Sequence, residues 1–197
     1  TRARSGTPDW PAASEWQAEL EAGVAWLDAQ QRILQLWLGR LEAQLARHWP
    51  EATQILELNS ATLLKALAEY GGPAPLAQAA EAASELARCG GRFLRPEKIE
   101  ELLRSARTTV GVRQTPATLT TVRRLATEAW RARQLVAEAE RGLKKLAEQD
   151  APTWRMAAAV GVSTACVLRA AVGDPRDYPC GAAYRKAFGL NLKERSS

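Results

Sequence analysis

Two stretches of the chain repeat apolar residues at alternating steps of three and four, and they set the expected architecture. The first runs from about Ser14 to His48, where Leu20, Val24, Leu27, Gln31, Leu34, Leu38, Leu41 and Leu45 form one heptad seam with a single polar member, Gln31. Ser14 followed three residues later by Gln17 fits a capping box at its start, and Pro50 stops it. The second runs from about Pro116 to Glu148, with Val122, Leu125, Ala129, Ala132, Val136, Ala139, Leu143 and Leu146 in the same alternation. The middle of this second seam is alanine, which lets another helix come close and leaves room for the larger Leu and Trp side chains of the first. The two patterns are similar in length, so they are expected to pair as an antiparallel coiled-coil hairpin. A coiled coil between two protomers would show the same spacing, and the sequence leaves both open.

Shorter helical patterns fill the gap. Ala61 to Tyr70 is closed by Gly71, Gly72 and Pro73; Leu76 to Arg88 is closed by Cys89, Gly90 and Gly91; Glu97 to Thr109 has Pro96 at its first turn. From Pro152 onward, Trp154 to Ala159 is helical in composition. A tight turn at Val160-Gly161-Val162 then leads into a helix opened by Ser163 and Thr164 and closed by Gly173. Asp174-Pro175 turns the chain, and a last helix runs from Tyr178-Pro179 to Gly189. No stretch alternates with a period of two. The expected fold is therefore all-α: a long antiparallel coiled-coil hairpin with a helical insert over residues 1–150, followed by a small helix-hairpin-helix-like domain over residues 151–197.

Charge adds a functional expectation. Nine basic and three acidic residues lie between Arg88 and Arg124, and seven basic and three acidic residues lie from 151 to 197, while the rest of the chain is net acidic. Two basic regions on an otherwise acidic chain point to an anionic partner, nucleic acid first. Candidate contacts are Arg92, Arg95, Arg104, Arg107, Arg113, Arg123 and Arg124 in the middle. In the terminal region they are Arg155, Arg169, Arg176, Arg185, Lys186, Lys193 and Arg195. The Gly161 turn with Ser163 and Thr164 offers backbone amides to a phosphate. Such contacts give affinity with little sequence reading. The seven tryptophans could stack bases, but most fall on helical patterns and are expected to pack.

Other chemistry is sparse. Cys89, Cys166 and Cys180 are far apart and form no CxxC, and His48 is the only histidine, so no metal site is expected. The cysteines read as buried or free thiols of a reducing cytoplasm, and His48 as a histidine near a helix C-terminus, where cations are favoured. No long apolar run suggests a membrane span, and the N-terminus lacks the apolar core of a signal peptide.

Residues 152–197 carry a further pattern: Gly161, Thr164-Ala165, Leu168, Gly173-Asp174, Tyr178, Ala182-Ala183-Tyr184 and Gly189-Leu190, ending at Ser196-Ser197. This resembles the C-terminal domain of the insertion-sequence transposases of the one-hundred-and-ten group, which work with a bridging guide RNA. More weakly, His48-Trp49-Pro50-Glu51, the stretch from Ala61 to Tyr70 and the long second helix resemble the family's central region. The resemblance covers nearly the whole chain.

It implies a DNA transposase or recombinase. A RuvC-like domain, absent from this sequence, would hold magnesium, and a C-terminal serine would attack DNA. A structured non-coding RNA would be bound, and dimers or tetramers would form through the coiled coil. Ser197, or else Ser196, falls where the family serine stands, with Lys193 and Arg195 beside it. On this view the chain is expected to be a fragment, inactive by itself and needing no cofactor of its own. It would come from a prokaryotic, cytoplasmic, nucleoid-associated protein. One departure is Ala159, which stands where the family's turn has its first glycine; a positive φ there would strain an alanine. The alternative expectation is a non-enzymatic helical protein-interaction module that uses the heptad seams for a protein partner.

Overall fold

A computed structural model describes residues 14–187 and 189. The fold is all-α, and no strand occurs among the described residues. The order is α1 (Glu15–His48), α2 (Ala52–Ile55), α3 (Ala61–Tyr70), α4 (Pro73–Gln78), α5 (Ala82–Gly90), α6 (Pro96–Thr108), α7 (Pro116–Glu148), α8 (Ala151–Val160), α9 (Val162–Val172) and α10 (Gly181–Ala187). Short 3-10 turns lie at Gly91–Phe93 and Pro175–Asp177. No helix among the described residues is long and apolar enough to cross a membrane.

The helices form two compact units. Among the described residues, one takes 14–28 together with those from Glu138 onward, and the other spans Ala29–Ala137. Helices α1 and α7 each lend a segment to both.

In the first unit the opening of α1 meets the end of α7. The Trp16 indole Nε1 donates to the Leu146 carbonyl at 3.1 Å. Gly23 lies so close to α7 that a Cβ there would sit 3.0 Å from the Leu143 side chain. Chain direction is thus reversed between the two segments. Leu20, Leu27, Leu143 and Ala147 are buried. Helix α9 docks on the same segment of α7, its buried Cys166 thiol 3.6 Å from the Leu143 carbonyl. Ser14 caps α1 by accepting from the Gln17 amide at 3.2 Å. The expected capping box is only half made, because the Gln17 side chain turns forward to Glu21 instead of back to the cap.

The second unit has one apolar core. Leu34, Leu38, Leu41 and Leu45 of α1 meet Val122, Ala126, Ala129 and Ala132 of α7, and Leu63, Leu64, Leu67, Leu76, Leu86, Ile99 and Leu102 complete it from the helices between. The seam differs from the heptad reading at one step: Gln30 is buried and Gln31 is exposed. A straight helix turns 3.6 residues, not 3.5, so an apolar stripe drifts, and here the drift selects the neighbouring glutamine. Ala126, absent from the expected seam, is fully buried for the same reason, while Leu125 is half-buried.

Other elements also differ, the last helix among them, which spans Gly181–Ala187 and does not start at Tyr178. The pattern from Leu76 to Arg88 is not one helix but α4 and α5, separated at Ala79–Glu81 and with Pro73 at the first turn of α4. The four-residue α2 was not anticipated.

The connection from α6 to α7 is tied to the end of α1 by hydrogen bonds. The Val112 amide donates to the Arg47 carbonyl at 2.9 Å, and the buried His48 ring, through Nδ1, donates to the Val112 carbonyl at 2.6 Å. Glu51 accepts from the Thr109 hydroxyl at 2.7 Å and the Val110 amide at 3.0 Å. Gly111 permits this approach, since a Cβ there would lie 2.2 Å from the His48 carbonyl oxygen. Trp49, fully buried, donates from Nε1 to Ser105 Oγ at 3.0 Å.

Candidate nucleic-acid interface

The terminal region folds around α8 and α9, joined by one residue, Gly161. Its φ of 84° is open to glycine and strained for other residues. Ala159 stays within α8 with an ordinary helical backbone, so the turn needs only one glycine. Asp150 begins the arrangement as the N-cap of α8, accepting from the Thr153 amide at 3.2 Å and the Thr153 hydroxyl at 2.6 Å.

The same Asp150 oxygen accepts from Arg169 Nε at 3.4 Å, and Arg169 Nη2 donates to Asp174 at 3.0 Å. The Arg169 guanidinium also lies 5.3 Å from the Trp16 ring centroid. Asp174 in turn accepts from Arg176, with Nη2 at 2.7 Å and Nε at 3.0 Å. Hydrogen bonds from Arg176, with the charge of Arg169 behind them, hold the Asp174 carboxyl down to about 2. Two tyrosines close the same corner. Tyr178 donates to the Val172 carbonyl at 2.8 Å, and the Tyr178 and Tyr184 rings pack edge to face at 5.0 Å.

This geometry corrects one expected contact. Arg169 is buried, with its side chain 10% exposed and its charge shared between two carboxylates, so it holds the fold and does not face a phosphate. Arg176 is exposed, but its fork is already occupied by Asp174. Arg123 is exposed, yet its Nη2 donates to the Tyr70 carbonyl at 3.2 Å and so caps α3, beside Gln114 Nε2 on the Gly71 carbonyl at 3.1 Å.

The remaining candidates face solvent. Arg92 lies within the 3-10 turn before α6 and Arg95 just after it, Arg104 and Arg107 lie on α6, Arg113 lies in the connection to α7, and Arg124 lies on α7. Among the described residues no carboxylate pairs with any of these six. In the terminal unit Arg155, Arg185 and Lys186 are exposed. Thr164 is exposed and Ser163 half-buried at the start of α9, where Gly161 brings no capping side chain. The first-turn amides of α9 therefore lack a side-chain acceptor from the cap. Lys193, Arg195, Ser196 and Ser197 lie outside the described residues.

A second feature was not anticipated. A cleft of ≈ 440 Å³ in the Ala29–Ala137 unit is lined by Thr62, Lys65, Glu69, Tyr70, Glu85, Arg88, Cys89 and Thr127 among others. Tyr70 donates to Glu85 across it. Burial and the Glu85 carboxylate push the Tyr70 hydroxyl up to about 12. Lys65 lies over the Trp130 ring at 4.8 Å, with Arg133 near the same ring at 5.5 Å. These partners come from three helices, α3, α5 and α7, and no sequence spacing marks them.

The tryptophans divide. Trp49 is buried, Trp16, Trp37 and Trp130 are half-buried, and Trp26 and Trp154 are 52% and 43% exposed. The three cysteines are free: Cys166 buried, Cys89 half-buried, Cys180 exposed. Among the described residues no cluster of His, Cys, Asp or Glu has the grouping of a metal site. No family model matches the chain, and no curated protein matches it.

Proposed function

We propose that this chain is a helical nucleic-acid-binding module, the coiled-coil and terminal-domain portion of a transposase of the one-hundred-and-ten group. Its own part is to hold DNA and a structured guide RNA through phosphate contacts. Cutting and joining belong to a magnesium site and a serine that act together in the parent protein. The family assignment is supported by the terminal pattern from Gly161 to Tyr184 and the turn built on Gly161.

Nucleic-acid binding rests on one observation: Arg92, Arg95, Arg104, Arg107, Arg113 and Arg124 are exposed, without carboxylate partners among the described residues, in a stretch where basic residues outnumber acidic ones. Unpaired arginines on a surface give up no ion pair when they meet a phosphate, and each contact releases counterions. The test is substitution. Arg104→Ala with Arg107→Ala should weaken duplex and RNA binding several-fold and flatten the salt dependence by about two contacts. Unchanged affinity and slope would contradict the assignment.

A second reading has its own observation. Ile33, Leu36 and Leu135 of the Ala29–Ala137 unit are 41%, 50% and 39% exposed. Apolar side chains left open on long helices suit a protein partner or a second copy of the chain. Association that ignores salt, is lost with Ile33→Glu and Leu36→Glu, and occurs without any binding to nucleic acid would favour a protein-interaction module.

A further inference from the structure

We infer that Phe93 is a stacking platform for an unpaired nucleobase, so that the module takes single-stranded nucleic acid at the turn between α5 and α6. This rests on the nucleic-acid reading above and names the form of nucleic acid held there. The sequence Gly90-Gly91-Arg92-Phe93-Leu94-Arg95 makes the turn. Gly91 adopts a φ of 55°, and Gly90 lies so close to Leu94 that a Cβ would meet the Leu94 Cβ at 2.3 Å. Leu94 packs against the core of the unit, so it anchors the turn and leaves its neighbour outside.

Phe93 is 84% exposed, although a phenylalanine normally contributes by burial. The Arg92 guanidinium lies 4.9 Å from its ring centroid, backing the ring as a cation. On its flank a groove of ≈ 320 Å³ is lined by Ile55, Leu56, the exposed Glu57, Ser60, Phe93 and Leu94 among others.

The chemistry sorts the two halves of a nucleotide. The flat apolar ring and groove wall suit a base face. Glu57 repels a phosphate from the groove but accepts from an exocyclic amino group. The exposed Arg92 and Arg95 suit the backbone on either side of the ring. A base inside a duplex is already stacked and cannot reach the ring, so the platform selects single strands.

The experiment compares the full chain with Phe93→Ala and Phe93→Tyr, titrating a fluorescein-labelled oligodeoxycytidylate of about 20 nucleotides, whose bases carry an exocyclic amino group, and a duplex of the same length. Phe93→Ala should weaken binding to the single strand by roughly 5- to 150-fold, the loss typical of one base stack, and leave duplex binding and the salt slope unchanged. Phe93→Tyr should restore single-strand affinity. Because Phe93 is exposed, the alanine variant keeps the wild-type helicity, which circular dichroism checks. Single-strand binding by wild type that survives Phe93→Ala overturns the inference and leaves nucleic-acid binding standing. So does wild-type binding to duplex alone, or an equal loss on both probes. No binding of wild type to either probe overturns both.

Discussion

At the residue scale, Arg169 decides how the terminal unit holds together. One guanidinium joins the cap of α8, through Asp150, to the turn after α9, through Asp174, and lies against Trp16 at the opening of α1. Removing it leaves the Asp150 carboxylate without its cation and Asp174 with Arg176 alone, both carboxylates being of low exposure. Arg169→Ala should therefore cost about 3 kcal/mol in urea unfolding. Arg169→Lys should restore only part, because a point charge cannot serve both acids at once. Asp174 gives a pH signature. Its folded value of about 2 lies below the ordinary 3.8. Its stabilisation is therefore complete above about pH 4 and is lost as the pH falls toward 2. Asp174→Asn should be less stable than wild type at pH 6, with the gap closing in urea melts between pH 4 and pH 2. A gap that stays constant across that window would contradict the ion-pair account.

At the element scale, two glycines separate close approach from helix propensity. Gly111 lies against the backbone of His48, so Gly111→Ala must push apart the hydrogen-bonded connection before α7 and should cost about 2 kcal/mol. Gly142 lies inside α7 with nothing within 4 Å of a new Cβ, so Gly142→Ala should add about 0.5–1 kcal/mol. Paired thermal melts read both signs, and a stabilising Gly111→Ala would overturn the account of that connection.

The long helices were legible because heptad seams, Pro50, Pro116 and the glycines after Tyr70 all speak locally. The shift from Gln31 to Gln30 was not, because it depends on how a straight helix drifts against its partner. The split into α4 and α5 was also hidden, since nothing between Leu76 and Arg88 except composition marks a break. Among the site residues, exposure of Arg104 and Arg107 follows from the polar face of α6. Arg169 was misread because its two acids lie 19 and 5 residues away, and only folding brings both to it. Asp150 could have been found, since an aspartate just before Ala151-Pro152-Thr153 is an N-cap pattern. The cleft beside Tyr70 has no local signature.

At the scale of the whole molecule, the basic residues divide into those that stabilise the fold and those that remain for a partner. Arg123, Arg169 and Arg176 are engaged within the chain, and six exposed arginines without a carboxylate partner among the described residues lie in the stretch from Arg92 to Arg124. A module whose affinity comes from these side chains should bind through phosphates, with modest sequence preference and a strong response to salt. The most direct measurement is a binding titration of the full chain against duplex DNA and a structured RNA, at several salt concentrations between about 50 and 200 mM. Binding that weakens steeply, with a log–log slope equivalent to several phosphate contacts, is the predicted result. No binding to either nucleic acid, or binding that does not change with salt, would contradict the account.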